Sequence, residues 1–235
     1  MPQCPMPTVL ARLRSAVTDA ASLRSWTVDA NDGIIATAGV LEGFAGAGAS
    51  DATLLTAAVV ATIAGGLSLG GAKWSEEAAE REAQLRVARE EAAQLELSPE
   101  EEVVELAGYY ERKGVSAAVA RQVAEELTAA DALGAQLEAE HGIREVMARA
   151  APVWAGVSAS AAFVLGALVP LLITVLVPGK LEAWAVLVAV IASLVLTSVV
   201  SARSGRTGVL RTMTRSLTVG VGTLGISFLA GLLIF

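Results

Sequence analysis

Cysteine and histidine occur once each, as Cys4 and His141. A lone cysteine excludes an internal disulfide, so redox chemistry says nothing of the compartment. One histidine and one distant cysteine make no nucleophilic dyad, and no Walker sequence or dinucleotide fingerprint is present. No enzyme is therefore expected, with no catalytic residues and no resident cofactor. Charged residues are sparse, at 17%. No stretch alternates with the period of a strand, and there is no tandem repeat. Residues 1–28 lack a continuous apolar core, so no cleavable signal peptide is expected, and the first apolar segment must act as its own insertion signal.

What the chain has instead is apolar mass. Hydrophobic residues make up 54% of it and the mean hydropathy is +0.59, values that point to a membrane protein. Crossing a bilayer core takes about 20 apolar residues in a helix. Five candidate spans follow, at 33–50, 52–72, 153–177, 183–201 and 216 to the end. The first is the weakest by hydropathy. Arg12, Arg14 and Arg24 precede it, and Arg203, Arg206, Arg211 and Arg215 lie between the last two. By the positive-inside rule the N-terminus is cytosolic and, with five spans, the C-terminus lies on the opposite side.

Charge is unevenly placed. Residues 76–149 hold 18 of the 24 acidic residues but 8 of the 17 basic ones, a net of −10. Such a segment does not suit nucleic acid; it suits cations, or simply water. Its Ala, Glu, Arg and Leu favour helix. SPEE at 98–101 reads as a helix start, with Ser98 as cap, Pro99 in the first turn and Glu101 closing a capping box. Gly114 stops that helix, Ser116 caps the next, and Gly142 ends it. The expected fold is all-α: five transmembrane helices with a cytosolic three-helix unit between spans two and three. The divisions are a cytosolic segment at 1–28, spans one and two at 29–73, the acidic unit at 74–150 and spans three to five at 151–235.

Two carboxylates fall in the first span. Asp32 either caps its start or faces a functional cleft. Glu42 lies roughly 15 Å further along, a depth at which a carboxylate needs a cation, a proton or a water path. At 100° per residue Asp32, Gly39, Gly43 and Gly46 share one stripe with Glu42 at its edge, and Gly39 and Gly43 form a GxxxG that admits a close helix neighbour. The second span repeats the theme with Gly65, Gly66, Gly70 and Gly71. Carboxylates in a low-dielectric cleft take either a proton or a divalent cation, and each expels the other. In the acidic unit Glu91, Glu102, Glu105, Glu138 and Glu140 are candidate oxygen ligands for a hard divalent ion. His141, read alone, is a helix-terminal residue facing the helix dipole.

The stretches DGIIATAGVLEGFAGAG, AGGLSLGGAKWSEEAAERE and SPEEEVVELAGYYERKGVSAAVARQVAEELTAADALGAQLEAEHGI resemble the vacuolar iron transporter family. The likeness covers nearly all of the chain from Asp29. It implies a homodimer, embedded in lipid, that moves Fe2+ or Mn2+ out of the cytosol in exchange for protons. Apart from the resemblance, the cell membrane is expected rather than an internal one. It also implies a metal-ligating role for Asp32 and, in the acidic unit, for Glu91, Glu102, Glu105 and Glu140. Glu42 and Glu138 are added from this sequence alone. The chain departs from the family where the second span would carry Glu and Met, here Ala61 or Thr62 and Leu69. It departs again at Gln94, Gln136 and Leu137. Those losses keep open an alternative: a non-transporting membrane protein of the same fold that senses or buffers metal or binds a partner.

Overall fold

The computed structural model describes residues 20–177, 179–205 and 208–234, with the side chains of 20–21, 179–183, 201 and 203–205 left aside. Arg12, Arg14 and Arg206 thus lie outside the described residues, as does the side chain of Arg203. Every described element is a helix: α1 (Ala20–Gly46), α2 (Asp51–Leu97), α3 (Pro99–Arg112), α4 (Ala117–His141), α5 (Ala151–Leu176), α6 (Gly179–Gly205) and α7 (Val209–Ile234). Three are long and apolar enough to cross a membrane, namely α2, α5 and α7; α6 contributes a shorter apolar stretch, Trp184–Val200. This is a membrane protein by the character of these helices. The first expected span, at 33–50, falls largely within α1, which does not reach that apolarity.

The chain divides into two compact units, one made of Met1–Lys73 with Ala155–Phe235 and the other of Trp74–Trp154. In the first, Ile34 and Ala38 of α1 pack with Val186, Val190 and Leu194 of α6 and Leu224 of α7. Leu41 packs with Leu54 and Ala58 of α2. The α1–α2 turn passes through Gly48 at φ +72, a conformation that favours glycine. Ser50 then caps α2: its Oγ accepts from the Thr53 amide at 3.4 Å and lies 3.0 Å from Thr53 Oγ1.

Close helix crossings explain the glycines. Gly39, Gly43 and Gly46 of α1 face Thr223, Ser227 and Phe228 of α7, so this small-residue stripe packs within the chain. Gly66 and Gly70 of α2 face Ser160 and Val164 of α5, and Ser160 Oγ donates to the Gly66 carbonyl at 2.7 Å. α1 also begins earlier than the hydropathy implied. Asp32 sits three turns inside the helix and cannot cap its start, because the polar residues before it continue the helix.

In the second unit, Leu106 and Ala107 of α3 pack against Ala124 of α4. The capping box at 98–101 does not form: the Ser98 side chain makes no cap hydrogen bond, nor does that of Ser116. Instead the Ser98 carbonyl accepts from the amides of Glu101 and Glu102 at 3.0 and 3.2 Å. α4 ends as expected, with Gly142 left-handed at φ 67 and the Ile143 amide reaching back to the Leu137 carbonyl at 2.9 Å. The expected single helix is broken at Asp131 (φ −160, ψ 88), whose Oδ1 accepts from the Gly134 amide at 3.0 Å. Asp131 thus caps a new helical segment and resets the phase of everything after it.

Candidate metal site

Three helices of the second unit supply the site. Glu91 comes from α2, Glu102 and Glu105 from successive turns of one α3 face, and Gln136, Glu140 and His141 from α4 beyond the break. Gln136 and Glu140, four apart, share the face that the new segment presents. Two trios result, Glu91–Glu140–His141 and Glu102–Glu105–Glu140, each with potential ligand atoms within 4.8 Å of one another. Glu140 belongs to both.

Burial sharpens the chemistry. Glu91 is 3% exposed and Glu102 6%, an unusual position for carboxylates. Gln136, 1% exposed, donates from Nε2 to Glu102 Oε2 at 3.0 Å and to the Glu102 carbonyl at 2.6 Å. It therefore fixes one carboxylate from below. Glu91 Oε1 and Gln136 Oε1 are buried without a hydrogen-bond partner. An unmatched buried acceptor costs about 1–3 kcal/mol, so these atoms are poised to gain from a cation.

Loss of solvation, and then the neighbouring Glu91, which also shares a hydrogen bond with it, push the Glu102 carboxyl up to about 7; Glu105 and Glu140 add to the effect. Glu140 is likewise raised, by burial first and then by Glu105 and Glu91, against partial relief from His141 and Arg112. Negative charge is thus concentrated beyond what this fold comfortably holds. Protons relieve it, and so does a divalent ion; the two compete. His141 Nε2 stands 3.5 Å from Glu91 Oε2. It offers the one nitrogen donor in an otherwise oxygen set, which the sequence reading had assigned only to the helix dipole.

Glu138 does not join. It points the other way and pairs with Arg144, Oε1 to Nε at 3.1 Å. Two residues from Glu140 is about 200° of helix, so the two cannot share a face. Asp32 and Glu42 belong to neither trio. Asp32 is exposed, whereas Glu42 is half-buried beside a cavity of about 360 Å³ whose other lining includes Trp184, Leu187, Val221, Leu224 and Phe228. Expected consequences separate these roles. His141→Ala should weaken Zn2+ binding about tenfold and Mg2+ binding much less, because nitrogen suits the softer ion. Glu138→Ala should leave both unchanged. Titration calorimetry on the full chain reads both outcomes.

Helix composition and the partly buried carboxylate cluster together define an all-helical membrane protein with an acidic unit suited to cations. The VIT family model matches residues 23–232, nearly the whole chain. The chain belongs to the VIT family. A protein named vacuolar iron transporter, from Acanthamoeba castellanii, is 32% identical over 167 residues, which is 71% of this chain and 60% of that relative.

Proposed function

We propose that this chain carries divalent transition metal, Fe2+ or Mn2+, out of the cytosol in exchange for protons, and that it is not an enzyme. What supports this best is the carboxylate cluster around Glu140, in which Glu91 and Glu102 are buried while Glu105, Glu140 and His141 are exposed, and in which Glu91 Oε1 is buried without a hydrogen-bond partner. Metal would collect on Glu91, Glu102, Glu105, Glu140 and His141 and displace the protons that relieve their mutual repulsion. The chemistry of the ligands, mostly hard oxygen with one imidazole and no sulfur, suits Mn2+ and Fe2+ better than Cu+, which prefers thiolate or thioether. In this reading all five apolar segments span the cell membrane, the N-terminus and the acidic unit are cytosolic, and the C-terminus lies on the far side. A homodimer is part of the proposal; the exposed row Leu55, Val59, Val60, Ile63 and Leu67 on α2 leaves apolar surface for lipid or for a second copy.

A second reading is favoured by one observation: among the described residues, Asp32 and Glu42 join no group of three ligands. It makes the protein a membrane-bound metal sensor or buffer, or a partner-binding protein, without flux. Proteoliposomes with an imposed pH gradient decide between them. Carriage predicts Fe2+ or Mn2+ uptake that depends on the gradient and falls at least about tenfold in Glu42→Gln. Uptake unchanged in that variant would remove Glu42 from the path, and metal binding without any uptake would establish the second reading.

A further inference from the structure

A second polar cavity, of about 250 Å³, opens in the first unit among α1, α6 and α7. Its polar lining is Thr27, Asn31, Thr197, Ser198, Arg215 and Ser216, set against an aliphatic wall. The only ionisable side chain among the lining residues is Arg215, so the cavity repels a divalent cation and does not serve the metal. Its chemistry is that of an anion site. Ser198 is 2% exposed, and its Oγ has no hydrogen-bond partner although it borders the cavity. A buried hydroxyl left in that state is costly, and because almost none of its surface is open it meets a cavity occupant only if the side chain turns toward it. Asn31 Oδ1 accepts from Thr197 Oγ1 at 3.4 Å, which leaves the amide N–H groups of Asn31 as donors. Guanidinium, amide and hydroxyl donors with no carboxylate among them match the oxygens of a phosphate.

Position favours a lipid as the source. Thr197 and Ser198 lie in the last third of α6, and Arg215 and Ser216 in the first third of α7, and the sequence between them is basic, with Arg203 at the end of α6, Arg211 at the start of α7 and Arg206 between the helices, outside the described residues. Basic residues gather at the cytosolic face of membrane proteins, where anionic lipid headgroups lie. The aliphatic wall formed by Val28, Ile35 and Val219 suits the glycerol and upper acyl carbons of an amphiphile.

We propose that this cavity binds the phosphate of an anionic phospholipid, held by Arg215, Asn31 and Ser198. The full-length protein in neutral detergent, titrated with short-chain phosphatidylglycerol and phosphatidylcholine and with inorganic phosphate, tests it by native mass spectrometry and thermal shift. Saturable binding of phosphatidylglycerol is expected, with phosphatidylcholine at least about tenfold weaker because its zwitterionic headgroup carries no net negative charge. Arg215→Gln should weaken the anionic lipid at least about tenfold, Ser198→Ala by less, and Arg211→Gln, outside the lining, hardly at all. Arg215→Lys, which retains the charge, should keep part of the affinity and serves where Arg215→Gln fails to fold. Equal losses in Arg215→Gln and Arg211→Gln would reduce the effect to diffuse basic attraction and overturn the site. Phosphatidylcholine binding as well as phosphatidylglycerol would overturn it too, and inorganic phosphate competing at equal affinity would replace the lipid with a soluble phosphate.

Discussion

Glu102→Gln is expected to weaken Mn2+ binding by about 10–100-fold while making the metal-free protein more stable at pH 8. The two effects have one cause. The Glu102 carboxyl is raised from 4.5 to about 7 in the folded protein by burial and by Glu91. Below pH about 4.5 the group is protonated in both folded and unfolded chains and contributes nothing. Between there and pH 7 the unfolded chain releases the proton more readily, so the folded state loses stability as pH rises, and above pH 7 the loss is complete. The amide cannot ionise, so the variant escapes a cost on the order of 1–3 kcal/mol at pH 8. Its carbonyl oxygen still accepts from Gln136 Nε2, so the packing contact survives. Wild-type affinity for Mn2+ should rise as pH increases to about 7 and flatten above, since each ion must displace the shared proton. Calorimetric titration at pH 6, 7 and 8, with thermal unfolding in chelator, measures both arms. A variant that loses stability at pH 8 and keeps its affinity would make Glu102 a structural residue only.

Much of the architecture was legible in the sequence because apolar length and acidic clustering are strong, local signals. Helices at 52–72, 153–177 and 216 onward lie inside α2, α5 and α7 to within a residue at their C-terminal ends, and the stops at Gly114 and Gly142 both appear as positive-φ residues. Hydropathy misled at α1, since it marks where a helix leaves lipid rather than where it ends, and Asp32 consequently looked like a cap. Within the acidic unit the structure brings Glu91, Glu102, Glu105 and Glu140 together. Glu138 could have been set aside from its spacing to Glu140 alone. His141 and Gln136 were harder to see. Their placement depends on the break at Asp131, and the alanines and leucine around it in TAADALGA favour helix and conceal a cap. The usable signal was Asp131 followed three residues later by Gly134, whose amide it takes. What no local pattern could show is that Gln136 lies beneath Glu102, a contact across 34 positions.

A large structural effect is expected at the crossing of α1 and α7. A Cβ on Gly231 would meet the backbone carbonyl of Gly43, and one on Gly46 would meet the carbonyl of Phe228; both fall far inside van der Waals contact. Neither obstacle is a side chain that could rotate away, so the helices themselves must part. Separating them also opens the packing of Ile34 and Ala38 against Leu224, because α1 contributes to both. Gly231→Val should therefore cost at least about 3 kcal/mol and appear as a large drop in the unfolding temperature in detergent, or as aggregated protein. The comparison that isolates the cause is Gly222→Ala on the same helix. Nothing lies within 4 Å of a Cβ there. That change should be neutral or should stabilise by up to about 1 kcal/mol, through helix propensity and a less flexible unfolded chain. If both variants lowered the unfolding temperature alike, glycine would be serving α7 through its flexibility and not through close approach. A loss confined to Gly231→Val would locate the requirement at the contact with Gly43, where the chain spends side-chain bulk to bring two backbones together.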